Sequence, residues 1–165
     1  MSDWDLIQKI FLEAVQSLIE RLPNDLDHRL TFENQKLSFW VQACPGFDSK
    51  IYVTKDTIST SVDNDYCHLP CDFESGITLT VTFTFQYFES LLTSKSRLCR
   101  WLNNDVIYAC IVDQWDGKQW VNTQGKPPLS LRNSDRQFVA NDLVLSSVKS
   151  ENNLNFSSIL NCERE

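Results

Sequence analysis

Two histidines, four glycines and one methionine are spread through 165 residues, and these shortages remove whole classes of chemistry. With so few glycines there is no loop able to cradle a phosphate, so the usual nucleotide-binding signatures are excluded. Nucleophilic catalysis needs a nucleophile, a base and an orienting group. Here the sole Cys/His proximity is His68 beside Cys67 and Cys71, and sequence neighbours rarely face one another productively. Carboxylates pair only in loop-like stretches without an apolar setting to raise a pKa, so acid and base roles find no support. No cofactor is expected. Basic residues are also scarce: 15 Lys and Arg against 22 Asp and Glu give a formal charge of −7. That field repels phosphate backbones, and the densest basic run, Lys95 to Arg100, is interrupted by apolar residues, which argues against nucleic acid as a partner. No apolar run approaches the ~18 residues of a membrane span, and Met1-Ser2-Asp3-Trp4-Asp5 lacks the basic start of a secretory signal. The sequence therefore predicts a cytoplasmic chain without membrane contact, whose acidity serves solubility.

The most regular stretch present is Ile77-Thr78-Leu79-Thr80-Val81-Thr82-Phe83-Thr84-Phe85. Its odd positions are apolar and its even positions are threonine, a period of two that predicts a β-strand with one buried face. Before it, Ser2 and Asp5 form a near capping box, and Ile7, Ile10, Phe11, Ala14, Val15, Leu18, Ile19 and Leu22 repeat at three and four. This spacing predicts an amphipathic helix closed by Pro23, with the plain role of covering a sheet. Alternating segments 29–33 and 36–43 read as a hairpin across Asn34-Gln35, and 51–53 with 58–62 as another around Lys55-Asp56. The pattern is lost from Asp63 to Ser75, which reads as an acidic loop. Residues 87–102 read as a second helix burying Phe88, Leu91, Leu92, Leu98, Cys99 and Leu102, with Asn103-Asn104 as its stop. Val106 to Val112 is apolar throughout and predicts a strand buried on both faces or central in its sheet. Residues 123–131 read as a loop. Segment 134–148 fits either a helix or two strands, 136–140 and 143–148. The expected fold is α+β: an antiparallel sheet of about five to seven strands covered by the N-terminal helix and a second helix at about 87–102. One domain spans 1–150, which buries roughly 70% of the extended chain's surface, followed by a polar tail or marginal helix over 151–165.

Six cysteines, Cys44, Cys67, Cys71, Cys99, Cys110 and Cys162, read as free thiols of a reducing compartment, with Cys99 and Cys110 inside apolar patterns. Cys67-His68-Leu69-Pro70-Cys71 resembles half a zinc site, but structural zinc needs four ligands, usually two short pairs. Cys67, His68 and Cys71 are thus incomplete metal candidates, and a pair of loop thiols is the simpler reading. The Asp116-Gly117 turn is more informative. A two-residue turn sets Trp115 against Lys118 and Asp113 against Trp120, gathering these four residues on one face with the indoles on a diagonal. Such a face suits an interface anchor, unless loop 123–131 or the tail covers it.

The order helix, antiparallel strands, helix, hairpin, together with the acidic charge and the segment Leu30-Thr31-Phe32-Glu33-Asn34-Gln35-Lys36-Leu37-Ser38-Phe39, is similar to that of class I type III secretion chaperones. The resemblance implies a non-catalytic homodimer that holds an unfolded protein segment on apolar grooves, and it carries no functional residues across. The expected function is protein binding, as a chaperone, adaptor or inhibitor of the immunity-protein kind. The alternative is a small-molecule binder or enzyme whose pocket lies between helices and sheet, lined by the threonine ladder.

Overall fold

The computed structural model describes residues 2–42, 46–63, 67–123 and 136–140, without the side chains of 67–69. Its elements run α1 (Asp3–Ile19), β1 (His28–Glu33), β2 (Lys36–Val41), β3 (Ser49–Val53), β4 (Thr57–Val62), β5 (Cys67–Asp72), α2 (Ile77–Leu91), β6 (Ser96–Asn103), β7 (Val106–Trp115), β8 (Trp120–Asn122) and β9 (Arg136–Ala140). The fold is α+β, with two helices and two antiparallel sheets among the described residues. The first sheet is the meander β1-β2-β3-β4-β5, and the second has the order β8-β7-β6-β9.

Helix α1 begins as its sequence dictates. Ser2 Oγ accepts the Asp5 N–H at 3.2 Å, and the Asp5 carboxylate accepts the Ser2 N–H at 2.9 Å. The two orphan donors are thereby satisfied reciprocally. Its stripe of Ile7, Phe11, Val15 and Leu18 is buried. The Asn34-Gln35 hairpin also forms as expected, both residues taking positive φ (50° and 59°), the conformation a two-residue turn of this hand requires. Strands β3 and β4 pair around Lys55-Asp56.

The second half of the chain differs from expectation. Residues 77–85 are not a strand: they open α2, which continues to Leu91. Wrapped at 3.6 residues per turn, Thr80, Val81, Thr84, Phe85, Phe88 and Leu91 fall on one buried arc, leaving Leu79 and Phe83 exposed. The Thr82 and Thr84 hydroxyls donate to the Thr78 and Thr80 carbonyls at 2.8 Å, so each finds its partner one turn back in its own helix. Packing decides against local β preference here. Phe11 of α1 meets Phe85 edge-on at 5.2 Å, Phe85 meets Phe88 at 6.4 Å, and Phe88 meets Phe39 of β2 at 6.3 Å. This aromatic chain, joined by Ile51, Ile58, Leu98 and Val112, places α2 at the centre of the core.

The helix expected at 87–102 therefore starts ten residues early and stops at Leu91, and 96–103 is β6. Asn104 and Asp105 take φ of 50° and 64°. The Asn103-Asn104 pair expected to stop a helix is split: Asn103 ends β6, and Asn104 with Asp105 closes the β6–β7 hairpin. One sheet of five to seven strands becomes two sheets of five and four. Part of the expected acidic loop is β5. Strand β7 is interior to its sheet as expected, but its start is not buried on both faces: Val106 and Tyr108 are exposed. Of the two options for 134–148, Arg136–Ala140 is a strand. Residues 141–165, with the rest of that segment and the tail, and the expected loop at 124–131 lie outside the described residues.

Candidate protein-binding face of the second sheet

Strand alternation divides the second sheet into two faces. Inward, Leu98 and Val112 are opposite each other in the β6–β7 register and enter the core. Gln114 Nε2 donates to Ser90 Oγ at the end of α2 and approaches Ser96 Oγ at 3.5 Å. A second tether links the sheets: the Arg100 guanidinium donates from Nε to Asp63 Oδ2 at 2.7 Å and from Nη2 to Oδ1, beyond the end of β4. The face is thereby fixed from behind.

On the outer face Trp115 lies directly opposite Trp120 in the β7–β8 register. This register differs from the expected one by two positions. Asp116 Oδ1 accepts the Lys118 and Gln119 N–H groups at 2.7 and 2.8 Å, and the Asp116 N–H reaches the Gln119 carbonyl at 3.1 Å. Those bonds stabilise a four-residue loop, 116–119, in place of a two-residue turn, and hold the Asp116 carboxyl below its ordinary range, chiefly through the Gln119 N–H. Lys118 consequently sits in the loop and no longer opposes Trp115.

Of the four residues expected on this face, Trp115 and Trp120 meet, their ring centroids 5.5 Å apart at 62°, an edge-on geometry favoured by the ring quadrupoles. Trp115 is 40% exposed and Trp120 partly so. Asp113 is buried and is a support: its Oδ2 accepts from both Nε and Nη2 of Arg97 at 2.9 Å. That pair presents the guanidinium to two rings, Trp120 at 4.5 Å and Phe138 of β9 at 4.2 Å. The Arg136 guanidinium is also near the Phe138 ring, 5.6 Å from its centroid. A continuous row, Trp115, Trp120, Arg97, Phe138, Arg136, thus crosses all four strands.

Arg97 and Phe138 were not legible as site residues, the first because it fell in an expected helix and the second because its segment was ambiguous. Asn104-Asp105 between two apolar runs is the signal that would have revealed the β6–β7 hairpin, and with it Arg97.

Cys99 lies between Arg97 and Trp101 in β6 and is a buried free thiol, as expected. Burial pushes its pKa up, helped by the Asp113 charge, which makes it a poor nucleophile. Cys110 corrects the expectation of free thiols, since it is held in a disulfide whose other half lies outside the side chains described. The metal candidates Cys67, His68 and Cys71 belong to a strand, paired along the backbone with Val62, Ser61 and Ile58; the side chains of Cys67 and His68 lie outside those described. Among the described residues no three His, Cys, Asp or Glu side chains converge as metal ligands, and no helix is long and apolar enough to cross a membrane. In comparisons with protein-family models, curated proteins and solved structures, the chain matches none.

Proposed function

We propose that the chain is a non-enzymatic protein-binding domain, a chaperone, adaptor or inhibitor, that takes its partner on the outer face of the second sheet. The observation that carries this reading is Arg97, stacked between Trp120 and Phe138 and anchored by Asp113. Tryptophan and arginine supply much of the binding energy at protein interfaces, most of all when they are held rigid before the partner arrives. Here two partly exposed indoles, an exposed phenylalanine and an oriented guanidinium form one surface. On this face Arg97 is paired with Asp113, and behind it Arg100 is paired with Asp63.

The alternative, a small-molecule pocket lined by the threonine ladder, loses its motivation because Thr82 and Thr84 bond to their own helix. The Cys110 disulfide is of the kind that persists in oxidising surroundings, and it turns the search for the partner there in preference to the cytoplasm. Affinity purification with the wild-type chain and with a Trp115→Ala, Phe138→Ala double variant tests the proposal. A stoichiometric polypeptide recovered by the first and lost by the second supports it. Recovery of no such polypeptide, or equal recovery by both, contradicts it.

A further inference from the structure

The first sheet ends at β1, whose outer side carries exposed apolar side chains. Among the described residues, strand β1 has β2 on one side and no strand on the other. Five of its six residues are exposed, among them Leu30 at 43% and Phe32 at 58%. Edge strands invite pairing and are normally blunted by charge, proline or a bulge; β1 has neither a proline nor a register shift, and its charged side chains, Arg29 and Glu33, are of opposite sign.

The direction of its unpaired backbone groups follows from the hairpin. Glu33 and Lys36 flank the two-residue turn, so they form a hydrogen-bonded pair. The Gln42 N–H bonds the Asp27 carbonyl at 2.9 Å, which keeps the same parity at the far end. Arg29, Thr31 and Glu33 therefore spend their N–H and C=O groups on β2, while His28, Leu30 and Phe32 point theirs outward. An added antiparallel strand must match outward residues with outward residues.

We infer that the occupant of this edge is β1 of a second copy, set about a two-fold axis through Thr31. In that register Leu30 exchanges both backbone hydrogen bonds with Phe32 of the second copy. Arg29 stands directly opposite Glu33 of the second copy, and symmetry repeats each contact. Slipping the pairing by two residues either way sets Arg29 or Glu33 against Thr31, and both ion pairs are lost. Charge complementarity thus selects one register, and within the single chain neither Arg29 nor Glu33 forms an ion pair among the described residues. The apolar members agree. Leu30 and Phe32 lie on the helix side, since they oppose the buried Phe39 and Leu37 in β2. Leu30 also borders an open groove of about 560 Å³ beside Leu12, Val15 and Ile19 of α1. Two copies bring Leu30 and Phe32 of each chain together beneath their α1 helices.

Light scattering or sedimentation on the full chain at about 100 µM tests this. The wild type is expected at twice its 19.1 kDa mass. Arg29→Glu and Glu33→Arg, which each set like charges opposite one another, are expected to weaken association at least about tenfold. Mixed in equal amounts, the two variants are expected to recover the doubled mass, because each introduced charge then meets its opposite. Phe32→Pro removes an outward N–H without touching the β2 ladder, and is expected to run at single mass with an unchanged far-ultraviolet circular dichroism spectrum. A wild type of single mass, a doubled mass that ignores both charge reversals, or a mixture that stays at single mass would each overturn the inference.

Discussion

The Arg97 guanidinium is bonded to Asp113 at 2.9 Å while facing the Trp120 ring at 4.5 Å. The ion pair and the stacking share one cation, so removing the carboxylate also releases the ring contact. Their side chains are 24% and 11% exposed, drier than a surface pair. A double-mutant cycle with Arg97→Ala and Asp113→Ala should give a coupling of roughly 1–2 kcal/mol in urea unfolding, above the ~0.2–1 kcal/mol of exposed pairs. A coupling near zero would mean that the rings alone hold Arg97.

The helical course of 77–91 separates residues that a strand would treat alike. Phe85 is 4% exposed and Leu79 is 49% exposed. Phe85→Ala should cost roughly 3–5 kcal/mol, and Leu79→Ala should stay within about 0.5 kcal/mol. In a strand both would face the core, so equal and large losses in denaturant unfolding would restore that reading.

Asp48, at the end of the segment leading into β3, ties stability to pH. Burial raises its carboxyl pKa, and the nearby Asp63 charge adds to this against the Trp40 hydrogen bond and Arg100. A raised acid favours the protonated fold: the stabilising contribution is complete below the ordinary value of 3.8 and is lost as pH rises through the folded value. Asp48→Asn should therefore gain on the wild type in melting temperature as pH rises from about 3.8 to neutrality. A constant difference across that range contradicts the assignment.

Two cysteines should behave oppositely. Cys110 should be found in a cross-linked peptide on non-reducing digestion, and reduction should lower stability by roughly 2–4 kcal/mol. Cys99, 1% exposed with a raised pKa, should resist alkylation until the chain unfolds. Rapid labelling of Cys99 in the native protein would show that the outer face is looser than described.

Local signals were readable where chemistry leaves one solution. Ser2 and Asp5 specify a helix start, and Asn34-Gln35 joins two alternating runs that make sense only as a hairpin. From 77 to 103 the signals fit two structures. The alternating Ile77 to Phe85 run satisfies a strand, yet a helix buries Val81 and Phe85 on the arc that Phe88 and Leu91 extend. Leu98, Cys99 and Leu102 have helical spacing, but Leu98 faces the core and Cys99 the opposite side of β6. Left-handed Asn104 and Asp105 suit a helix stop and a hairpin equally. The Trp115 and Trp120 pair was visible in advance because both flank one turn. Arg97 and Phe138 were not, because they reach Trp120 through pairings that only the assembled sheet creates.

The binding role of the Trp115, Trp120, Arg97 and Phe138 face is tested most directly by a photo-reactive phenylalanine analogue placed at position 115, with position 55 on the β3–β4 turn as control, irradiated in the cells that make the protein. The account predicts one discrete protein adduct from position 115, absent from position 55 and lost when Arg97→Ala is added. No adduct at 115, or the same adduct from both positions, would contradict it.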